Sequence, residues 1–288
     1  MIDALQALPV SAVLVSVFIL GLLVGSFLNV VILRMPLKLM QDWRQQCREL
    51  LELEDADHTI ASAPGLITPG SRCPQCGAGI AWYDNIPLLS WLILRAKCRH
   101  CSARISARYP LVELTTGLLS VWVVWHFGPG PEGLAALLLL WALIAATGID
   151  FDHQLLPDQI TLPLLWLGLL VNLQWQLFTT LESAVVGAIA GYLVLWGVFH
   201  AFRLLTGKEG MGYGDFKLLA ALGAWMGWQV LPVIIVLASL VGAIVGILMM
   251  IIARRGKDIP IAFGPYLAAA GFIALLYGTE LIEFWLYP

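Results

Sequence analysis

"MIDALQALPVSAVLVSVFILGLLVGSFLNVVILR", residues 1–34, carries no charge between Asp3 and Arg34. A helix needs about 20 apolar residues to cross the hydrocarbon core of a bilayer, and this run supplies them. No basic segment precedes it, and it is too long for the apolar stretch of a cleaved secretory signal. It reads as a retained first membrane span.

The rest of the chain repeats the pattern. Its 288 residues are 60% apolar and 12% charged, with a mean hydropathy of +0.85, which places it among integral membrane proteins rather than soluble globules. Apolar segments fall at 9–33, 111–127, 134–149, 160–178, 183–204, 216–228, 230–252 and 261–285, each bounded by Gly, Pro or charged residues. No ten-residue alternation suggests a barrel. The expected fold is therefore an all-α polytopic membrane protein of about eight transmembrane helices with a small cytosolic zinc-binding loop domain. The expected organisation is a first helix (1–33), the cytosolic domain (34–110) and a seven-helix catalytic domain (111–288). The sixth segment is short and glycine-rich, which suits a tilted, re-entrant or closely packed helix.

Sixteen Lys and Arg residues stand against nineteen Asp and Glu, a net charge of −3, so no basic nucleic-acid surface is indicated. Their placement is more informative. Alternating the sides of eight spans gathers every Lys and Arg in or beside 34–110, 150–159, 203–217 and 253–260, and the positive-inside rule makes that face cytosolic. Both termini then lie on the opposite side. Within 34–110, residues 43–65 read as a short polar helix followed by a loop.

"RCPQCGAGIAWYDNIPLLSWLILRAKCRHC" holds two CxxC knuckles, Cys73 with Cys76 and Cys98 with Cys101, separated by twenty-one residues of strand-rich loop. Four thiolates so spaced can surround one Zn2+ tetrahedrally, although the spacing slightly exceeds the usual ribbon range. With every position filled by protein, the metal has a structural role, folding a loop too small to bury its own core. Two disulfides or four free thiols are the competing readings, and the cytosolic placement disfavours the disulfides. Cys47 stands apart as an unpaired thiol, and His100 reads as a surface residue.

Acids cluster at two places on the expected cytosolic edge. "TGIDFDHQLLPD" carries Asp150, Asp152 and Asp158, and "GMGYGDFK", residues 210–217, carries Asp215. Carboxyls at membrane depth suggest function, though loop-end acids are often only solvated. Two brought into one site would share a proton, one activating water while the other protonates a scissile carbonyl oxygen. Composition does not separate Asp150 from Asp152. Gly210, Gly212 and Gly214 remove Cβ atoms beside Asp215, which favours a sharp turn and close substrate approach. His153 reads as a polar helix-end residue without a nucleophile to serve. Lys217 reads either as a partner of a nearby acid or as an interfacial lysine. Glu113 in "YPLVEL" sits just inside the second span, where an intramembrane polar role is open and a part in methyl transfer is not expected.

Six ordered blocks, "GSFLNVVILRMP", the knuckles around "WYDNIPLLSWL", "ISARYPLVE", "IDFDHQLLPD", "GMGYGDFK" and "FGPYLAAAG", resemble the type IV prepilin peptidases over nearly the whole chain. "GYGD" is also the GxGD signature of related membrane aspartic proteases. The resemblance implies that Asp150 and Asp215 are the catalytic pair; by position and chemistry Gly212, Gly214, Asp158 and Lys217 read as supporting residues. It implies an enzyme of the bacterial inner membrane that removes a basic leader from prepilins and pseudopilins at the cytosolic edge. It also implies methylation of the new N-terminus with S-adenosylmethionine, an activity for which the sequence shows no Rossmann-type donor fingerprint. The leader's positive charge would be attracted to Asp152 and Asp158. Two positions depart from the family pattern: Ala96, where Gly is common, and Ala262, where Pro is common. A proton-coupled transporter and a noncatalytic zinc-bearing scaffold are the rival classes. The first calls for midplane acids and inverted repeats; the second leaves the GxGD segment without a purpose.

Overall fold

A computed structural model describes residues 9–52, 63–252 and 262–286. The basic stretch 253–260 lies outside the described residues. Among those described there is no strand, only two isolated bridge pairs, Arg72 with Gly79 and Lys97 with Arg104. The chain divides into two compact units, Ala4–Trp122 and Val123–Pro288.

In the first unit, helix α1 runs over Val10–Leu50. It continues past the expected end of the first span and through Pro36, because the following residues are mostly long, unbranched helix formers. Gln45 Nε2 also donates to Glu49 Oε1 one turn on, at 2.9 Å. The polar helix expected after residue 34 is thus the extension of the first span. A 3-10 turn at Trp82–Asn85 and the short α2, Leu89–Ile93, follow, so helix and turn fill the loop between the knuckles where strands were expected.

Helix α3, Arg108–Phe127, begins in this unit and packs against α1 along small residues. A Cβ on Gly21 would lie 2.8 Å from Gly117 Cα, and one on Gly25 would lie 2.7 Å from Glu113 Cα. In lipid no hydrophobic force drives helices together, so close backbone approach of this kind supplies the packing.

The second unit contains α4 (Pro131–His153), α5 (Asp158–Trp175), α6 (Leu181–Thr206), α7 (Tyr213–Met226), α8 (Leu231–Ile252) and α9 (Gly264–Leu286). Its centre is α7, whose residues from Phe216 to Met226 are all buried except Lys217. Gly191 of α6 meets the α7 backbone so closely that a Cβ would sit 2.7 Å from Leu219 O. Close packing is therefore what the short, glycine-rich segment provides.

At 14 residues α7 is about 21 Å long, short of the roughly 30 Å apolar core of a bilayer. Its last carbonyls would be orphaned in an apolar surrounding. The buried Asn172 of α5 meets them: Nδ2 donates to Ala224 O at 3.0 Å and Trp225 O at 2.9 Å. Its Oδ1 accepts from the Phe178 and Thr179 backbone N–H groups. This holds α7, with Asp215 at its other end, in a fixed axial position.

All eight expected apolar segments are helices. Six of them, all but α5 and α7, are long and apolar enough to cross a membrane by themselves. Large apolar side chains such as Ile189, Leu193, Ile247 and Ile251 are exposed on α6 and α8, as suits a lipid surrounding. The chain is a multi-pass helical membrane protein.

Candidate active site and cysteine cluster

In the second unit, three helix ends converge on two carboxyls. Asp150 lies in the last turn of α4 and is 5% exposed. Its Oδ2 accepts a hydrogen bond from the backbone N–H of Gly264 at 3.0 Å. Gly264 opens α9, so this N–H is one of the helix-start donors that have no intrahelical partner. A Cβ on Gly264 would lie 2.5 Å from the same oxygen, so only glycine lets the donor come this near.

Asp215 is the third residue of α7 and 6% exposed. Its N–H donates to Gly212 O at 3.3 Å, and its Oδ1 is buried with no hydrogen-bond partner among the described residues. Leu156, buried in the loop after α4, wedges the helix ends together: a Cβ on Gly214 would meet Leu156 Cβ at 2.6 Å, and one on Gly264 would meet Leu156 Cδ1 at 3.1 Å.

The GxGD glycines act differently from the expected sharp turn. None of Gly210, Gly212 and Gly214 has a positive φ. Gly212 has open space, its would-be Cβ lying 3.9 Å from the nearest backbone atom, Gly214 N. Gly214 makes the close approach to Leu156, and Gly210 lies against Phe202. The left-handed residue in this connection is Gly207, at φ 70, which caps α6.

Burial separates the acids that composition did not. Asp150 is buried, while Asp152 and Asp158 are exposed, because residues two apart on a helix project in nearly opposite directions. Asp158, at the start of α5, accepts from Lys217 Nζ at 2.6 Å. Lys217 thus lies against an acid. The pair ties α5 to the first turns of α7.

In the first unit the four knuckle sulfurs of Cys73, Cys76, Cys98 and Cys101 lie within 4.8 Å of one another. The knuckles share one local geometry. Cys73 N–H donates to Ala78 O and Gly77 N–H to Cys73 O; Cys98 N–H donates to Ala103 O and Ser102 N–H to Cys98 O. Backbone N–H groups of Cys76 and Gln75 hold the Cys73 thiol down at about 6. At Cys101 the Ala103 N–H favours the thiolate, but burial and the three neighbouring sulfurs outweigh it and push the thiol up to about 12. Four sulfurs this close ionise together only around a cation, so the donor set fits a metal ion.

Arg99, inside the second knuckle, forks onto Asp84 at 2.6 and 2.7 Å and holds that carboxyl below its ordinary range. Arg95 and Ala96 just before it both have positive φ, 51° and 58°. This is the backbone reason a glycine suits position 96. Cys47 is a free, exposed thiol far along α1, and His100 is exposed.

Reading the sequence did not single out Gly264, Leu156 or Asn172. Gly264 carried a usable signal, since "GP" after a charged loop marks a helix start. Leu156 and Asn172 act through tertiary contacts that no local pattern records.

A polytopic helical membrane protein with two buried carboxyls at helix ends that meet on one leucine has the makings of a membrane aspartic protease. Residues 19–127 match the bacterial peptidase A24 N-terminal domain and residues 137–247 match the type IV leader peptidase family. The chain is 55% identical over 280 residues to a prepilin leader peptidase/N-methyltransferase of Stutzerimonas stutzeri, covering 97% of this chain and 96% of that one. It is 56% identical over 271 residues to the protein of that name from Aeromonas hydrophila, with 94% and 92% covered. For the Pseudomonas aeruginosa protein the figures are 53% over 286 residues, with 99% and 97% covered. No solved structure matches the chain. The chain belongs to the type IV leader peptidase family.

Proposed function

We infer that this chain is an aspartic endopeptidase of the bacterial inner membrane that removes the leader from prepilins and pseudopilins, then N-methylates the new N-terminal residue. The observation that carries the peptidase reading is the convergence of two buried carboxyls, Asp150 fixed by the Gly264 N–H and Asp215 with an unpartnered oxygen. Two carboxyls in one buried site share a single proton. The Asp150 carboxylate takes a proton from water as its oxygen attacks the scissile carbonyl carbon, and Asp215 gives its proton to the carbonyl oxygen. Collapse of the tetrahedral species passes the Asp150 proton to the leaving nitrogen and returns a hydroxyl proton to Asp215.

A prepilin carries a basic leader and an apolar helix, so its scissile bond lies at a membrane edge. The charge distribution supports a cytosolic edge for this site and for the cysteine loop. Asp158 and Lys217 position α7, Gly214 lets it pack against Leu156, and Gly212 leaves room beside Asp215. Cys73, Cys76, Cys98 and Cys101 hold a structural Zn2+ that folds the loop of the 34–110 domain, with 111–288 as the catalytic helices. S-adenosylmethionine, when bound, supplies an electrophilic methyl group for the amine that cleavage exposes.

The test is a reconstituted one: purified protein in lipid, a synthetic prepilin, and mass measurement of the product N-terminus with and without donor. Leader loss without donor, and a further single methyl group with it, are expected.

A further inference from the structure

Within the first unit a cavity of about 420 Å³ opens between α1, the cysteine loop and the start of α3. That is in the range that holds a drug-sized ligand. Neither Asp150 nor Asp215 lines it. Its wall contains Glu113, a carboxyl only 8% exposed, in a fold where buried charge is expensive unless it is paired.

Among the described residues no lysine or arginine pairs with Glu113. Its Oε2 instead accepts from the Leu88 backbone N–H at 2.9 Å, with Ser26 beside it. Leu88 is held at φ 59 to present that N–H, a sparsely populated conformation for a side-chain-bearing residue, and such outliers concentrate at ligand sites. The Trp91 ring and Tyr109 also line the cavity, and its exposed rim carries Arg72 and Arg104. A buried carboxyl within, aromatic rings on the wall and guanidinium groups at the rim suit one kind of molecule. It would carry a fixed positive charge, a carboxylate and a flat ring system.

We propose that this cavity is the methyl-donor site: Glu113 faces the cationic end of S-adenosylmethionine, the aromatic wall receives the adenosyl group, and Arg72 and Arg104 meet the carboxylate. The proposal rests on the reading of the chain as a methyltransferase. It also gives a purpose to the burial of Glu113 against Gly25, where the close α1–α3 approach seats the carboxyl.

The experiment is equilibrium binding of tritiated S-adenosylmethionine to the full-length protein in detergent. It is joined by ultraviolet cross-linking of the same ligand, peptide mapping, and methylation of a synthetic mature pilin by the parent. In the parent, cross-links map to residues 26–34 and 71–113. Glu113→Gln weakens binding about tenfold or more, as loss of a charge-assisted contact does. Ser26→Leu, which fills the cavity beside Glu113, removes binding; both variants keep a melting temperature near the parent's. If either variant folds poorly, the parental cross-links decide alone. A parent that neither binds the donor nor methylates overturns the methyltransferase reading and this site with it. A parent that methylates while cross-linking elsewhere, or well-folded variants that bind as the parent does, overturns the site and leaves the reading standing.

Discussion

Asp150 and Gly264, 114 positions apart in sequence, are joined by a 3.0 Å hydrogen bond that only a glycine at the α9 start allows. A methyl group there would sit 2.5 Å from the Asp150 oxygen, so the carboxyl or the helix must move. Displacement of a catalytic group by about 1 Å costs on the order of 100-fold in rate. Gly264→Ala should therefore lower kcat for leader removal by about that factor with little change in KM. The check is cleavage kinetics on a synthetic prepilin in lipid.

The Asp158–Lys217 pair should matter far less. With side chains 51% and 26% exposed, such a pair contributes about 0–1 kcal/mol. Lys217→Gln should reduce kcat/KM by no more than about fivefold. Exchanging the charges, Asp158→Lys with Lys217→Asp, should restore most of the loss. A hundredfold drop for Lys217→Gln alone would mean that Lys217 touches the reacting groups.

Elemental analysis should find one zinc per chain, and Cys98→Ser should remove it. Without metal, the loop from residue 64 to 107 should become the first site of proteolysis, because its fold depends on bound ion. Acid should have the same effect, since protons compete for thiolates. Asp84 adds a dependence of the same sign. Arg99 holds its carboxyl below the ordinary range in the folded loop, so its contribution is present above that range and lost as pH falls through and below it.

Ala96→Gly should stabilise the loop. A non-glycine residue at φ 58 carries a penalty of about 1–2 kcal/mol, partly offset by glycine's greater freedom when unfolded. The net expectation is roughly 0.5–1 kcal/mol, visible as slower amide exchange at residues 94–105. Faster exchange would show that the left-handed turn is not the strained element.

Much of this molecule was legible in its sequence, for reasons that differ by element. The helices were readable because lipid forces long uncharged runs into a single secondary structure, and the knuckles because metal ligation fixes local spacing. The extension of α1 beyond residue 33 was missed because polarity marks the end of a membrane, not the end of a helix. Choosing Asp150 over Asp152 needed either the family pattern or burial. The Gly264 donor, the Leu156 wedge and the Asn172 clamp on α7 join residues distant in sequence, and no periodicity encodes such pairings. The role expected of the GxGD glycines failed in its mechanism: backbone freedom was anticipated, whereas Gly214 serves close packing.

The most direct measurement is the mass of the product N-terminus after incubating a synthetic prepilin with lipid-reconstituted parent, Asp150→Asn, Asp215→Asn, the double variant and Asp152→Asn. Carboxyls that act as one unit give strongly non-additive losses. Each single variant at 150 or 215 should abolish leader removal, the double should be little worse than either, and Asp152→Asn should still cleave. Leader removal by Asp150→Asn, together with its loss in Asp152→Asn, would contradict the assignment and move the catalytic carboxyl to the exposed residue two positions along.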